Sequence, residues 1–250
     1  MQILMFTPAH KDEFIAKAKT MKKRYPEVTI VYDLEDGVPA TEKKRAFENV
    51  KKHARTKDWV RIDDNMTYEL YDLPTVQAIV IPKVTPYVLD RYVDMDGRNS
   101  FGCDRVIALI ETAAGVDAAS YIAEKAGGVI FGQYDFILSM NSELHTDYAR
   151  SRILNACKAA GIPVYDSPDY SLDLNTIMHN ARQAYCLGFD GMAVLHPDHI
   201  KIVKENFRAP YNQRVWAKGI LKNAGDGLTV FQNTIIGPPI VKRAKQILQK

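Results

Sequence analysis

Eight short apolar runs, rich in Val, Ile and aromatic residues, punctuate the first four-fifths of the chain: residues 3–6, 29–32, 59–62, 78–81, 106–110, 128–131, 162–165 and 192–195. None alternates apolar with polar positions, which is the pattern of parallel strands covered on both faces. Most intervening segments carry helical periodicity instead. Phe14, Ala18 and Met21 share a face, as do Ala46 and Val50, and Val116, Ala119 and Ala123. The same spacing returns in Ile153, Cys157 and Ala160, in Ile177, Ala181 and Ala184, and in Ile200, Val203 and Phe207. Two of these helices run into a glycine, Gly161 and Gly188, where a left-handed residue is expected just past the last turn. The connections after the third and fourth strands are short and carry the least helical signal.

Eight strand–helix units in ~205 residues predict an α/β fold, a (β/α)8 barrel of the TIM type with right-handed crossovers. The barrel is expected over residues 1–207 and a C-terminal helical extension over residues 208–250. A doubly wound open sheet is the alternative, but no GxGxxG follows the first strand. In the extension, residues 208–212 read as a loop, 215–222 as a short helix, 225–227 as a turn and 238–248 as a last helix opening with Pro238. This extension is expected to lie over a barrel mouth, its own or that of a neighbouring chain.

Composition excludes classes more than it selects one. A chain of 250 residues, 46% hydrophobic and 25% charged, is ordinary for a globular protein. Its formal net charge of +3, from 33 basic and 30 acidic residues, leaves no electrostatic footprint for nucleic acid. The three cysteines, Cys103, Cys157 and Cys186, share no CxxC spacing. They argue against a disulfide framework or a thiolate zinc site and fit a reducing cytosol. No apolar run reaches the ~18 residues of a membrane span, and Met1 to Pro8 is too short for a signal peptide. The expectation is a cytoplasmic protein with no membrane or nucleic-acid partner.

The chemistry lies in what closes each strand. The second runs into Asp33-Leu34-Glu35-Asp36-Gly37, and the third contains Arg61 ahead of Asp63-Asp64. The fourth ends in Pro82-Lys83-Val84, the fifth in Glu111-Thr112, the sixth in Gly132-Gln133-Tyr134-Asp135, the seventh in Asp166 and the eighth in His196-Pro197. In a (β/α)8 barrel these ends share one rim, where active sites are built. Each residue also has a plain reading. Glu111 reads as a cap of the following helix, Asp135 as a turn residue after Gly132, and Arg61 and Lys83 as ion-pair partners of the acidic cluster. His196 reads as a structural histidine at a helix start. The run Lys17, Lys19, Lys22, Lys23 and Arg24 reads as a solvated helix face, and Met140 and Met178 as packing.

Taken together, the charged residues point further. Glu111 and Asp135 end consecutive strands, so two carboxylates stand side by side with no Cys or convergent His beside them. Hard oxygen donors with open positions suit Mg²⁺, or Mn²⁺ in its place, completed by water and a chelating substrate. Arg61 offers a planar fork for a carboxylate or an enolate oxygen. Gly115 and Gly132 allow close backbone approach at the same places. A dication beside an arginine suits enolate chemistry, because charge develops on one carbonyl oxygen as the bond to carbon breaks.

In this order the residues resemble the HpcH/HpaI aldolase and citrate lyase β-subunit superfamily, above all its citrate lyase β-subunit-like branch. The resemblance rests on Leu4-Met5-Phe6-Thr7-Pro8, Tyr32-Asp33-Leu34-Glu35-Asp36-Gly37-Val38, Lys43-Lys44-Arg45-Ala46, Val60-Arg61-Ile62 and Ile81-Pro82-Lys83-Val84. It continues in Leu109-Ile110-Glu111-Thr112-Ala113-Ala114-Gly115, Phe131-Gly132-Gln133-Tyr134-Asp135-Phe136, Gly188-Phe189-Asp190-Gly191 and Leu195-His196-Pro197. It implies a barrel that binds Mg²⁺ through Glu111 and Asp135, with Glu35 and Asp36 in the outer metal shell and counted with Arg61 as catalytic. Arg61, Lys83 and Gly132 are implied to bind substrate. Members make or break a carbon–carbon bond between a short 2-oxo acid and an acetyl thioester, usually of coenzyme A. They assemble as trimers or hexamers whose C-terminal segment reaches over the adjacent site.

The sequence departs from that pattern at four places. Met1-Gln2 stands where an Arg-Ser pair precedes the first strand, Ala9-His10 where a Gly follows Pro8, and Gly191-Met192 where Gly-Lys precedes the last strand. The arginine of that pair holds the thioester end. Aligning the tail through Gly227, Pro239, Arg243 and Ala244 puts Gly237 where members carry an acid/base Asp. The leading expectation is a Mg²⁺-dependent lyase that cleaves a 3-hydroxyacyl thioester, citryl-, malyl- or citramalyl-CoA-like, or a related hydroxy acid through a metal-stabilised enolate. A water, His10 or a substrate group would then supply the missing base. The second is a divalent-metal aldolase for pyruvate or oxaloacetate enolates without a thioester. The third is a barrel without turnover that serves as a binding or assembly subunit. Gly237 favours the third, while the intact Arg61, Glu111 and Asp135 set opposes it.

Overall fold

The structure is a computed structural model and describes residues 1–63, 72–95, 97–99, 101, 103–142, 146–225 and 227–249. In chain order the barrel is built from β1 (Gln2–Pro8), α1 (Asp12–Arg24), β2 (Val28–Asp33), α2 (Lys43–His53), β3 (Trp59–Arg61), β4 (Ala78–Ile81) and α3 (Pro86–Leu89). Then come β5 (Arg105–Ile110), α4 (Ala113–Asp117), α5 (Ala119–Lys125), β6 (Gly128–Phe131), α6 (Gln133–Met140) and α7 (Thr146–Ala160). The circuit ends with β7 (Val164–Asp166), α8 (Leu174–Leu187), β8 (Gly191–Val194) and α9 (Pro197–Asn206). The extension adds α10 (Tyr211–Asn223), β9 (Thr229–Phe231), β10 (Thr234–Ile236) and α11 (Pro238–Gln249). Strands β1 to β8 are parallel, in sequential order, and close when Gln2 of β1 pairs with Gly191 of β8. This is the (β/α)8 barrel read from the apolar runs, not the open sheet.

The two faces of each strand do different work. Leu4, Phe6, Val31, Trp59, Val80, Ile107, Leu109, Ile130, Tyr165 and Ala193 form one cluster inside the barrel, with Trp59 and Tyr165 edge to face at 5.7 Å. Their alternates, such as Ile3, Met5, Ile30, Ile79 and Val129, pack outward against Ile15, Ala18, Ala46, Val50, Ile153 and Ile177 of the helices. Both faces are therefore dry, which is why the strands read as continuous apolar runs. The inward parity also fixes what the rim receives. Two residues beyond Val31, Trp59, Leu109, Ile130 and Tyr165 come Asp33, Arg61, Glu111, Gly132 and Ser167.

Several elements differ from the sequence reading. On α1 the buried face is Ile15 and Ala18, while Phe14 is 38% exposed under the Lys11 ammonium. Ala160 is exposed in the last turn of α7, ahead of Gly161. Gly161 and Gly188 do take left-handed φ angles of +72° and +106°. The helical face of Val116, Ala119 and Ala123 spans two short helices parted at Ala118. The fourth strand is followed by the single turn α3. Strand β7 begins at Val164, since Pro163 has no N–H for the ladder and contributes only its carbonyl, to the Val129 N–H. Helix α10 starts at Tyr211, earlier than expected.

The β9–β10 hairpin is new. It turns through Gln232 and Asn233, both at positive φ, and leaves Leu228, Val230 and Ile235 exposed. Helix α11 packs along α10 and brings Arg243 and Gln246 beside the carboxyl end of α8 at Tyr185 to Gly188. Among the described residues no helix is long and apolar enough to cross a membrane.

Candidate active site

Arg61 is the anchor of the rim. The parallel register places it opposite Asp33, whose carboxylate accepts Arg61 Nε on Oδ1 and Nη2 on Oδ2, both at 2.7 Å. Asp33 also accepts the backbone N–H of Glu35 at 2.9 Å and of Gly37 at 3.0 Å. A Cβ on residue 37 would stand 2.3 Å from Asp33 Oδ2, so the tight turn requires glycine there. The Asp33-to-Gly37 motif is thus a cradle around one buried carboxylate that fixes a guanidinium by a bidentate fork. The guanidinium lies 5.2 Å from the centre of the Phe6 ring. Lys43 closes the turn from outside, donating to the carbonyls of Leu34 and Glu35 and pairing with Asp63 at 2.6 Å.

Glu35 sits between two cations. Its Oε2 is 2.9 Å from Arg61 Nη1, and its Oε1 accepts from the Lys83 ammonium, which also reaches Asp36 at 3.2 Å. No hydrogen-bond donor among the described residues is aligned on Oε2. Burial pushes the Glu35 carboxyl above its ordinary range, against the pull of Arg61 and Lys83. Asp36 stays exposed at the edge of the cluster. Lys83 takes a left-handed φ of +51°, sparsely populated for a residue with a side chain. That backbone turns its N–H onto Glu111 Oε1 at 2.7 Å. The Lys83 ammonium is thus an ion-pair partner of Glu35 and Asp36, while its peptide positions Glu111.

Glu111 is 2% exposed. It does not cap the helix that follows; Thr112 does, accepting the Gly115 N–H on its side chain at 3.1 Å. Gly132 leaves room for the Glu111 carboxylate, since a Cβ there would meet Glu111 Cβ at 2.6 Å and Oε2 at 2.7 Å. Asp135 lies in the first turn of α6, not in a turn before it. Burial first and the charge of Asp135 second push the Glu111 carboxyl up to about 8. Among the described residues neither carboxylate belongs to an ion pair with a basic side chain. Nor does any group of three His, Cys, Asp or Glu residues form a closed metal cage.

These groups surround a cavity of about 50 Å³ at the mouth, lined by Arg61, Glu111, Gly132 and Asp135 together with Phe6, Tyr134, Ser167 and Tyr170. Ser167 accepts the Gln133 N–H at 3.0 Å and so ties the start of α6 to the end of β7. Tyr134 and Tyr170 meet edge to face at 4.7 Å over the opening. A second cavity of about 250 Å³, with Phe14, Lys17 and His196 on its walls, shares Phe6 and Leu195 with the first.

Other candidates are placed elsewhere. Asp166 has the outward parity and pairs with Arg150 of α7 at 3.1 Å in the helix layer. His196 caps α9 ahead of Pro197. His10 is buried and does not line the cavity. Gly237 sits against Leu228 at the hairpin, and no described residue of 208–250 lines the cavity of its own chain. Asp64 and Asp226 lie outside the described residues. The sequence reading assigned no role to Asp33, although its inward parity after Val31 was available. Tyr134 and Tyr170 are brought in by the α6 start and the β7–α8 loop, for which no periodic signal exists.

Comparison with known proteins identifies the family and bears out the fold. The model of the HpcH/HpaI aldolase/citrate lyase family matches residues 2–197. The chain is 25% identical to the mitochondrial citramalyl-CoA lyase of Rattus norvegicus, over 98% of this chain and 84% of that one. It superposes on the protein CitE of Mycobacterium tuberculosis, solved with magnesium, acetoacetate and coenzyme A, with a TM-score of 0.85, at 24% identity and over 99% and 97% of the two chains. With the citrate lyase β subunit of M. tuberculosis, solved with oxaloacetate and magnesium, the TM-score is 0.70 at 26% identity, over 83% and 96%. The chain belongs to the HpcH/HpaI aldolase/citrate lyase family.

Proposed function

We propose that this protein is a Mg²⁺-dependent carbon–carbon lyase that cleaves a 3-hydroxyacyl thioester into a 2-oxo acid and an acetyl thioester. The observation that carries the reading is the buried Glu111 carboxylate, which lines one cavity with the half-buried Asp135 whose charge opposes its ionisation, with no basic side chain among the described residues paired to either. A hard dication suits that donor set, and two protein ligands leave the remaining positions to water and substrate, as Mg²⁺ prefers. The relative solved with oxaloacetate and magnesium supports the same assignment. Glu111 and Asp135 would hold the ion, and Glu35, ion-paired to Arg61 and Lys83, adds its charge to the same rim. When bound, Mg²⁺ supplies Lewis-acid polarisation of the oxygens of the 2-oxo acid.

The chain's own residues do the rest. Arg61, clamped by Asp33 on two nitrogens, keeps a further N–H on each Nη and presents them without rotamer search to a carboxylate or to the oxyanion of the breaking unit. Lys83, committed to Glu35 and Asp36, sets the field around Arg61 and adds positive charge at the edge of the substrate site. Gly132 supplies the space in which Glu111 and a small acid meet. The adjoining cavity of about 250 Å³ gives the thioester arm a place beside the small acid site. That observation favours a thioester substrate over a free 4-hydroxy-2-oxo acid. The extension, with the apolar hairpin residues Leu228, Val230 and Ile235 exposed, is proposed to cover the mouth of a neighbouring chain in a homo-oligomer, which light scattering after gel filtration checks.

The test is a panel of citramalyl-, malyl- and citryl-CoA set against free 4-hydroxy-2-oxo acids, each with Mg²⁺ and with EDTA. Cleavage of a thioester that EDTA abolishes is the expected result. Cleavage of the free acids alone would replace the thioester lyase by an aldolase. Binding of pyruvate or oxaloacetate that ignores both Mg²⁺ and Glu111→Ala would end the metal reading.

A further inference from the structure

The mouth of the cavity carries a hydroxyl group that the roles given so far leave unused. Three side-chain hydroxyls line it. Tyr134 directs its own at Asp169 Oδ1, 3.4 Å away. Ser167 accepts from the Gln133 N–H and donates to the Pro168 carbonyl at 3.0 Å. The Tyr170 hydroxyl makes no hydrogen bond among the described residues. Its ring is held all the same, edge-on to Tyr134 at an interplanar angle of 88°. The loop beneath it is pinned by the buried Asp169, which accepts the Ser171 N–H at 2.6 Å and Asn180 Nδ2 of α8 at 2.7 Å. Tyr170 lines the cavity together with Arg61, Glu111 and Asp135, and the charges of Asp135 and Arg61 both act on its phenol. A ring held edge-on at the cavity mouth, with a hydroxyl that no described residue binds and with 66% of the residue open to solvent, has the setting of a proton donor.

We propose that the Tyr170 hydroxyl is the proton-transfer group of this site, protonating the enolate carbon as the carbon–carbon bond breaks. The inference rests on the lyase reading above and deepens it. In the cleavage direction the substrate hydroxyl loses its proton to solvent, its C–O becomes a carbonyl, and the carbon–carbon electron pair passes to the acetyl unit as an enolate. The Tyr170 O–H then breaks, a C–H forms on the methyl carbon, and the phenolate takes a proton back from water, so no net proton is consumed. Partial burial and the Asp135 carboxylate push the phenol upward while Arg61 opposes them, so the group holds its proton at neutral pH.

The experiment compares wild type, Tyr170→Phe and Tyr170→Ala by two readouts. Calorimetry follows pyruvate binding with and without Mg²⁺. NMR in D₂O follows deuterium exchange into the methyl groups of acetyl-CoA, with Mg²⁺ and oxalate, and of pyruvate, with Mg²⁺. Tyr170→Phe is expected to bind pyruvate within about threefold of wild type while exchange falls about 100-fold or more. Exchange at the wild-type rate in Tyr170→Phe overturns the proposal. So does a parallel loss of binding and exchange, or a Phe variant that restores what Ala loses, since each makes the ring and not the hydroxyl responsible. A wild type with no Mg²⁺-dependent pyruvate binding brings down the metal reading and the present inference with it, an outcome distinct from the other three.

Discussion

The proton on Glu111 makes the metal reading quantitative. The side chain is 2% exposed, and burial with the Asp135 charge moves its carboxyl from an ordinary 4.5 to about 8. At pH 7 only about one-tenth of the metal-free protein carries this carboxylate ionised. A dication needs it ionised, so binding releases the proton. The apparent Mg²⁺ affinity should therefore rise about tenfold per pH unit up to pH 8 and level off above it. The stability sign follows from the same shift. A carboxyl raised on folding contributes stability that is fully present below the unfolded value and is lost as pH climbs through the folded one. Metal-free protein should thus lose up to about 1.4 kcal/mol per pH unit between pH 5 and 8 from this group, and Mg²⁺ should restore it at pH 8. Glu111→Gln should show neither behaviour, having no proton to release and no charge to offset. Titration calorimetry in buffers of different ionisation enthalpy counts the protons, and thermal melts across pH read the stability. An affinity flat from pH 6 to 8 with no proton released, or a Gln variant that binds Mg²⁺ like wild type, would refute the reasoning.

Three further expectations rest on packing, on an ion pair and on a turn. Gly132→Ala places a methyl 2.6 Å from Glu111 Cβ and should displace the carboxylate, lowering Mg²⁺ affinity at least about tenfold at a stability cost of about 1–3 kcal/mol, read by calorimetry and urea melts. Arg150→Ala leaves Asp166, 1% exposed, without its cation and should cost about 3–5 kcal/mol in urea unfolding, while Mg²⁺ affinity under native conditions stays unchanged. Gln232→Asn puts a residue tolerant of positive φ at a position of +46° and should raise stability by about 0.5 kcal/mol, seen as a shift in the denaturant midpoint.

The barrel was legible because its strands are dry on both faces, so each appears as an unbroken apolar run that periodicity alone can count. Arg61, Glu111 and Asp135 were legible because charge at a strand end stands out against such runs. What stayed hidden depends on parity or on loop shape. Asp33 looked like one more acid in an acidic stretch, although the alternation from Val31 turns it inward to Arg61. The same alternation from Tyr165 turns Asp166 away from the mouth and onto Arg150. Tyr170 owes its place to Asp169 and Asn180, a long-range hydrogen bond with no sequence signal. The β9–β10 hairpin was missed because Gln232-Asn233 lacks the glycine that usually marks such a turn. The left-handed Lys83 follows from tertiary demand, since nothing in Pro82-Lys83-Val84 favours it.

The alternation of the barrel strands makes this protein far more sensitive to changes of length than to changes of kind. Removing one residue from β5 would rotate Glu111 into the layer beneath the helices and lift an aliphatic chain to the rim, with the composition almost untouched. Substitution along the strands is graded, whereas deletion there is all-or-none. Length variation compatible with the chemistry is accordingly confined to the connections on the floor of the barrel and to the extension, and a library that samples insertions at every position should recover function only from those segments.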